Sequence, residues 1–160
     1  YYGMMAFMVR TFGHRLFGPG FDRARLDDLT QGLAGHYRKR MLKTPAVLYR
    51  LRRSWREYAR AFENYDVVLS PVLAHTTPKL GYLSPTQPFE TLIERLIHYA
   101  SFTPANNASG SPAISLPLGA TAEGLPIGVQ LAAVQGGERT LLELAYEVEA
   151  ARPWRRIQDA

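Results

Sequence analysis

The chain has 160 residues, 46% of them hydrophobic, which is enough for one packed domain and excludes a disordered tail. It contains no cysteine, which excludes disulfides, cysteine-ligated zinc and thiol nucleophiles and agrees with a reducing cytoplasm. The net charge is +5, and the basic excess is local, lying between Arg10 and Arg60.

The N-terminal residues do not resemble a targeting signal. The apolar stretch at residues 4–9 is too short to span a bilayer and lacks the order of a signal peptide. We therefore expect no membrane span and a cytoplasmic protein. Because the chain opens with Tyr1 and not with Met, we also expect it to be a piece of a longer protein.

Two helices in close succession are predicted next, over residues 22–43 and 45–63. Thr44 suits an N-cap and Pro45 the first turn of the second helix, so residues 1–64 are predicted to form a helical segment with a helical hairpin. The apolar residues at helical spacing in the first helix are Leu26, Leu29, Leu33, Tyr37 and Met41.

The second helix mixes arginines with aromatic residues, a composition that also suits a nucleic-acid surface. Its apolar residues nevertheless recur every three or four positions, and they are Leu48, Leu51, Trp55, Ala59 and Phe62. This spacing favours a buried stripe with the arginines on its solvated rim, so we expect no nucleic-acid partner.

From residue 65 onward the pattern becomes mixed. Residues 66–71 form a β-branched, continuously apolar run typical of a strand buried on both faces. A Pro- and Thr-rich loop follows over residues 74–88, then a helix over residues 89–100 with an apolar core-facing stripe. Strands are predicted at 113–118 and 127–132 and a last helix at 138–151, which indicates an α/β fold.

Catalytic groups are scarce in this sequence. The four histidines stand at no metal-ligand spacing, so we expect no metal and no cofactor. Asp66 lies at a strand entrance, where an aspartate more often caps a turn than acts as a catalytic acid. The run Ser109-Gly110-Ser111 lacks the full context of a nucleophile elbow, and no rigid element offers a lysine to pair with either serine. Residues alone therefore predict no active site in this chain.

Five motifs, in order, resemble those of the amidase-signature family. Residues 102–119 are similar to its F-T-x-x-x-N-x-x-G-x-P-A-I-S-x-P-x-G segment, and residues 123–131 to its D/E-G-L-P-I-G-x-Q strand. Residues 65–71 resemble its Y-D-x-L-L-T-P strand. Glu138 with Leu141-Leu142 resembles its E-x-x-L-L helix start, and Pro153-Trp154 its terminal P-W.

The resemblance implies a C-terminal part of the amidase-signature fold, in which helices flank a mixed central sheet. It implies hydrolysis of a carboxamide to a carboxylate and ammonia or an amine by a Ser, cis-Ser, Lys triad. The triad has no counterpart among these residues, so the catalytic residues are expected in the N-terminal remainder and this chain alone is expected to be inactive. Residues 65–160 would be the C-terminal α/β part of one incomplete domain.

The same resemblance implies site residues. Ile97, Ala100 and Pro104, with Val72 and Leu73 as outer members, would line the substrate pocket, although Ile97 and Ala100 also fit the core stripe of their helix. Asn107 and Gln130 would be buried amides that satisfy backbone groups.

Ala100 also bears on the substrate. Relatives that release ammonia from glutamine tend to carry an acidic residue where Ala100 stands, so this residue favours a neutral, apolar amide as the small-molecule substrate. The alternatives are one component of a glutamine-dependent amidotransferase acting on misacylated tRNA and a non-catalytic binding or structural module. Formation of a homodimer remains open.

Overall fold

The computed structural model describes residues 2–154, which belong to two compact units. The first unit contains the residues up to Tyr49 together with Pro78–His98, and the second contains Arg50–Thr77 and the residues from Tyr99 onward. The boundary predicted at residue 64 stays a prediction. Within the described residues, no helix is long and apolar enough to cross a membrane.

The first unit begins with two helices that pack against each other, α1 (Tyr2–Phe17) and α2 (Asp28–Arg38). Gly3 of α1 lies against Leu33 and Tyr37 of α2, and the rings of Phe7 and Tyr37 are 5.4 Å apart. The start of α1 thus meets the end of α2, which makes the pair antiparallel. The sequence pattern did not predict α1, so this pair differs from the predicted hairpin.

The single helix predicted over residues 22–43 is wrong, because two aspartates divide this stretch. Asp22 accepts a hydrogen bond from the N–H of Ala24 (2.8 Å) and starts a short 3-10 turn, Arg23–Arg25. Asp27 then accepts from the N–H of Thr30 (2.8 Å) and caps α2. Side chains of this kind satisfy the free N–H groups of a first turn and so begin a new helix.

Helix α3 (Thr44–Arg60) agrees with the predicted second helix, but Thr44 does not cap it. Its hydroxyl donates to the carbonyl oxygen of Met41 (2.5 Å) and lies 2.7 Å from the hydroxyl of Tyr37. The predicted buried stripe is only partly covered: no residue of α3 is fully buried, and Trp55 is 43% exposed.

The second unit contains a three-stranded antiparallel sheet with the order β1-β3-β2. Its strands are β1 (Val68–Pro71), β2 (Ala113–Ala120) and β3 (Pro126–Ala132), the last two forming the predicted hairpin. The prediction that β1 is buried on both faces is wrong in this chain, since β1 pairs only with β3 and its Leu69 is 67% exposed.

Helices lie on both faces of this sheet, which confirms the α/β class. Helix α6 (Glu138–Ala151), predicted with the same limits, packs on β2, and the shared core consists of Leu116, Leu131, Ala133, Leu141 and Ala145. Side chains alternate along a strand, so Gln130 next to Leu131 points to the other face, where the short helix α5 (Pro104–Ser109) lies. Helix α4 (Phe89–Tyr99) also follows its prediction closely.

Candidate functional site

A groove opens where the chain leaves β1, and a proline on β3 explains why. The N–H of Val72 still donates to the carbonyl oxygen of Gly128 on β3 (3.2 Å). The next hydrogen-bonded pair of this ladder would join Ala74 to Pro126, which has no N–H to donate. The N–H of Ala74 donates instead to the carbonyl oxygen of Tyr99 (3.0 Å), so the segment separates from the sheet and leaves a gap.

The gap is a groove of about 280 Å³ without any acidic, lysine or arginine side chain in its lining. Its apolar part comes from both sides, and its far end is formed by His75 and two threonines. The lining residues are Pro71, Val72, Leu73, Ala74, His75, Thr76, Thr77, Pro126, Ile127 and Gly128. A groove of this character suits an uncharged, mostly apolar group, since a charged ligand would lose its hydration there without gaining a partner.

Gly128 allows the two sides of the groove to approach each other. A Cβ atom at this position would lie 2.9 Å from Cγ2 of Val72 and 3.1 Å from Oγ of Ser115. Both distances are shorter than ordinary van der Waals contacts. The second glycine in the Gly-Leu-Pro-Ile-Gly run therefore has a packing role at the base of the groove.

His75 is held at its place by two contacts. Its ring lies 4.7 Å from the ring of Tyr99, with the planes tilted by 38°, and its Nδ1 is 2.8 Å from the carbonyl oxygen of Thr76. Because a carbonyl oxygen can only accept, Nδ1 carries the proton in this contact. Tyr99 thus contacts this segment through both its backbone and its ring.

The structure places the five predicted wall residues differently. Val72 and Leu73 line the groove, whereas Ala100 and Pro104 are not among its lining residues. Ala100 is half-buried and follows Tyr99 directly, and Pro104 is exposed in the first turn of α5. Ile97 belongs to the first unit and is 63% exposed, so the prediction that it joins a core stripe is wrong in this chain.

A buried polar network lies beside the sheet, behind β3. Nε2 of Gln130 donates to Oδ1 of Asn106 (3.2 Å), and Nδ2 of Asn106 donates to the hydroxyl oxygen of Tyr58 on α3 (3.2 Å). Gln130 and Asn106 are 6% and 8% exposed. Gln130 is therefore buried as predicted, but the bond described here goes to a side chain and not to the backbone.

The second predicted amide lies elsewhere. Asn107 is exposed, and the buried amide of this segment is its neighbour Asn106. Because α5 turns by about 100° per residue, adjacent residues face different ways, and the motif alone could not tell which of two adjacent asparagines faces inward.

The two serines that resemble a nucleophile turn have structural roles. Ser109 and Ser111 are both buried. The hydroxyl of Ser109 donates to the carbonyl oxygen of Asn106 (3.3 Å) and accepts from the N–H of Ser111 (3.4 Å). A serine nucleophile needs a base within hydrogen-bond reach, and these bonds provide none. Among residues 2–154, no cluster of side chains suited to holding a metal ion is found.

Several residues of the groove and the network were not predicted from the sequence. The pattern of histidines bears on His75 only as a metal ligand, and Pro126 and Ile127 stand out only as part of a strand motif. The one useful signal was Pro126 itself, since a proline at the start of a strand limits pairing on one side. Tyr58 and Asn106 gave no signal, because a helical pattern does not show which distant polar residues meet.

Comparison with known proteins gives a consistent result. The family described as Amidase matches residues 8–142. AmiC of Mycobacterium tuberculosis, which carries a provisional amidase name, is 48% identical over 157 residues, covering 98% of this chain and 33% of that protein. The solved structure of 6-aminohexanoate cyclic dimer hydrolase matches 98% of this chain and 34% of its own with a TM-score of 0.80 and 27% identity.

A third relative bears on the amidotransferase alternative. One component of the glutamyl-tRNA(Gln) amidotransferase of Sulfurimonas denitrificans is 32% identical over 151 residues, covering 86% of this chain and 32% of that protein. The chain thus spans about a third of the length of the curated relatives that it matches.

Proposed function

Because the chain belongs to the amidase family, we propose that it is one part of an amide hydrolase whose catalytic residues lie outside it. The complete protein would cleave a carboxamide to a carboxylate and ammonia or an amine through a Ser, cis-Ser, Lys triad. This chain would contribute sheet strands and one wall of the pocket that receives the acyl group. We expect the enzyme to act in the cytoplasm.

The uncharged groove beside β1 and β3 carries this proposal. An amide substrate is neutral, and its acyl part is best held by apolar surfaces that exclude water. Val72, Leu73 and Ile127 offer such surfaces, and the threonines at the far end can accept or donate hydrogen bonds. Ala100 and Pro104 stay in the proposed wall as neighbours of the same segment, and the place of Ile97 stays a prediction.

The amidotransferase alternative remains a second candidate because a relative of that name is 32% identical. A substrate with an amino-acid ammonium group would need a carboxylate partner in the pocket. Ala100 provides none, and no acidic side chain lines the groove. These observations favour the neutral amide over an amino-acid amide.

The test compares the complete protein with this chain. Purified complete protein should release ammonia from simple aliphatic and aromatic amides, whereas purified residues 1–160 should release none. Ser109→Ala and Ser111→Ala in the complete protein serve as controls, because neither serine belongs to the proposed triad and either variant that folds should keep its activity. Activity of residues 1–160 that disappears with one of these substitutions would contradict the proposal.

A further inference from the structure

We propose that His75 sets the length of acyl group that the groove accepts and that Tyr99 holds His75 in that position. This inference rests on the proposed function, since it concerns the substrate that the amide hydrolase would select. His75 would be a specificity-determining residue in contact with the acyl group. Tyr99 would be a positioning residue, because its side chain is not among those that line the groove.

The position of His75 along the segment supports this role. The apolar lining runs from Pro71 to Ala74, and the imidazole is the first bulky ring that an acyl group extending along the segment would meet. The neighbouring residues Thr76 and Thr77 have small side chains. Removing the imidazole would therefore lengthen the groove, whereas shortening either threonine would change it little.

Two contacts make His75 a fixed stop and not a mobile side chain. The bond from Nδ1 to the carbonyl oxygen of Thr76 (2.8 Å) limits rotation of the ring, and the ring of Tyr99 at 4.7 Å backs it. The backbone bond from Ala74 to Tyr99 (3.0 Å) anchors the segment even when the tyrosine side chain is changed. Substitution of Tyr99 can thus release the imidazole without releasing the whole segment.

The groove volume indicates which substrates are affected. At about 280 Å³ it lies near the lower limit for a small-molecule pocket, which indicates a short acyl group. Each methylene group moved from water into an apolar site should raise binding about four-fold. An open groove end should therefore favour long acyl groups and leave short ones unaffected.

The experiment measures kcat/KM of the complete enzyme for straight-chain primary amides from acetamide to octanamide. The variants are His75→Ala, His75→Phe, Tyr99→Ala and Tyr99→Phe. We expect His75→Ala to raise the ratio of long-chain to short-chain kcat/KM by about four-fold for each newly buried methylene. Tyr99→Ala should shift the ratio in the same direction, whereas His75→Phe and Tyr99→Phe, which keep the rings, should preserve the preference for short chains.

The control is Tyr146→Ala, which removes an exposed ring from α6 that does not line the groove. An unchanged length profile in both His75→Ala and Tyr99→Ala, with wild-type activity on acetamide, would overturn this inference and leave the proposed function intact. A complete wild-type protein that hydrolyses no amide would overturn the proposed function and this inference with it. If one alanine variant does not fold, the other decides the outcome.

Discussion

The N–H of Ala74 donates to the carbonyl oxygen of Tyr99 over 3.0 Å, and this bond separates the chain from the sheet. Two residues earlier, Val72 is still bonded to Gly128 of β3. The exchange of partners between Val72 and Ala74 follows from Pro126, which cannot continue the ladder. A groove without acidic, lysine or arginine side chains results from this one local change.

The first prediction concerns the close packing at the base of the groove. Gly128→Ala should destabilise the protein by about 1 to 3 kcal/mol, because the added methyl group overlaps Val72 and Ser115. Urea denaturation measures the change. Gly20→Ala is the matched control, since a Cβ atom there meets no atom within 4 Å. Equal midpoints for the two variants would show that the groove base tolerates the methyl group.

The second prediction concerns the network behind β3. Gln130→Leu should cost about 1 to 3 kcal/mol of unfolding free energy, because Oδ1 of Asn106 loses its donor in a buried site. The exposed Gln135→Leu should change the unfolding free energy by less than about 0.5 kcal/mol. A double-mutant cycle with Tyr58→Phe should show coupling, since both residues bond the same amide. Additive effects in the cycle would argue that the three side chains do not act as one network.

The third prediction concerns pH. The N–H of Thr30 donates to Asp27 and lowers the pKa of this carboxyl below its ordinary value of 3.8. A lowered folded-state pKa means that the stabilisation is complete above the ordinary value and is lost as the pH falls through the lower folded-state value. Asp27→Ala should therefore cost about 1 kcal/mol at neutral pH and progressively less under acidic conditions.

Asp27→Asn separates the cap from its charge. Asparagine is an equally good N-cap, so this variant should keep most of the stability but lose the pH-dependent part. Thermal unfolding between about pH 2 and pH 7, the range in which carboxyl groups titrate, measures both variants. If the destabilisation of Asp27→Ala did not diminish toward low pH, the carboxylate would not be the stabilising group.

The sequence predicted the regular elements of the second unit well, for identifiable reasons. Strands β2 and β3 are separated by a Gly-Leu-Pro turn, and helix α6 begins after two glycines, so strong local signals mark their ends. Helix α1 was missed because its short apolar stretch indicates a helix only weakly when its partner α2 is not known. The break at Asp27 was missed because an aspartate inside an apolar pattern does not by itself show that it caps a new helix.

The candidate site was less predictable from sequence. Val72 and Leu73 were found by resemblance, but the groove depends on which residues the chain bonds after it leaves β1. That choice involves Tyr99, which is distant in sequence and carries no motif of its own. Tertiary contacts of this kind cannot be read from periodicity, and the same limit applies to the bond between Gln130 and Asn106.

The fourth prediction concerns the isolated chain. Strands β1 and β2 each pair only with β3, and large apolar side chains such as Leu69 and Tyr146 are exposed. Unpaired edges and exposed apolar surface favour association, so purified residues 1–160 should self-associate at micromolar concentration. Light scattering after size-exclusion chromatography measures this. A monomer that unfolds in one sharp transition would contradict the prediction and favour the stand-alone module.

Ala100 offers a direct way to test whether this chain forms part of the acyl pocket of an amide hydrolase. In the complete enzyme, Ala100→Asp should lower kcat/KM for apolar amides, because an unpaired carboxylate in the pocket costs about 1 to 3 kcal/mol or more. Amides with a nearby ammonium group should lose less. Ala100→Leu should penalise long acyl groups more than short ones by about 1 to 3 kcal/mol.

The deciding experiment is therefore a matrix of kcat/KM values for both variants against short, long and cationic amides. We expect different patterns of preference: charge-dependent discrimination for Ala100→Asp and length-dependent discrimination for Ala100→Leu. If both variants lower kcat/KM for every amide by the same factor, residue 100 belongs to the core, and the proposed acyl wall is wrong.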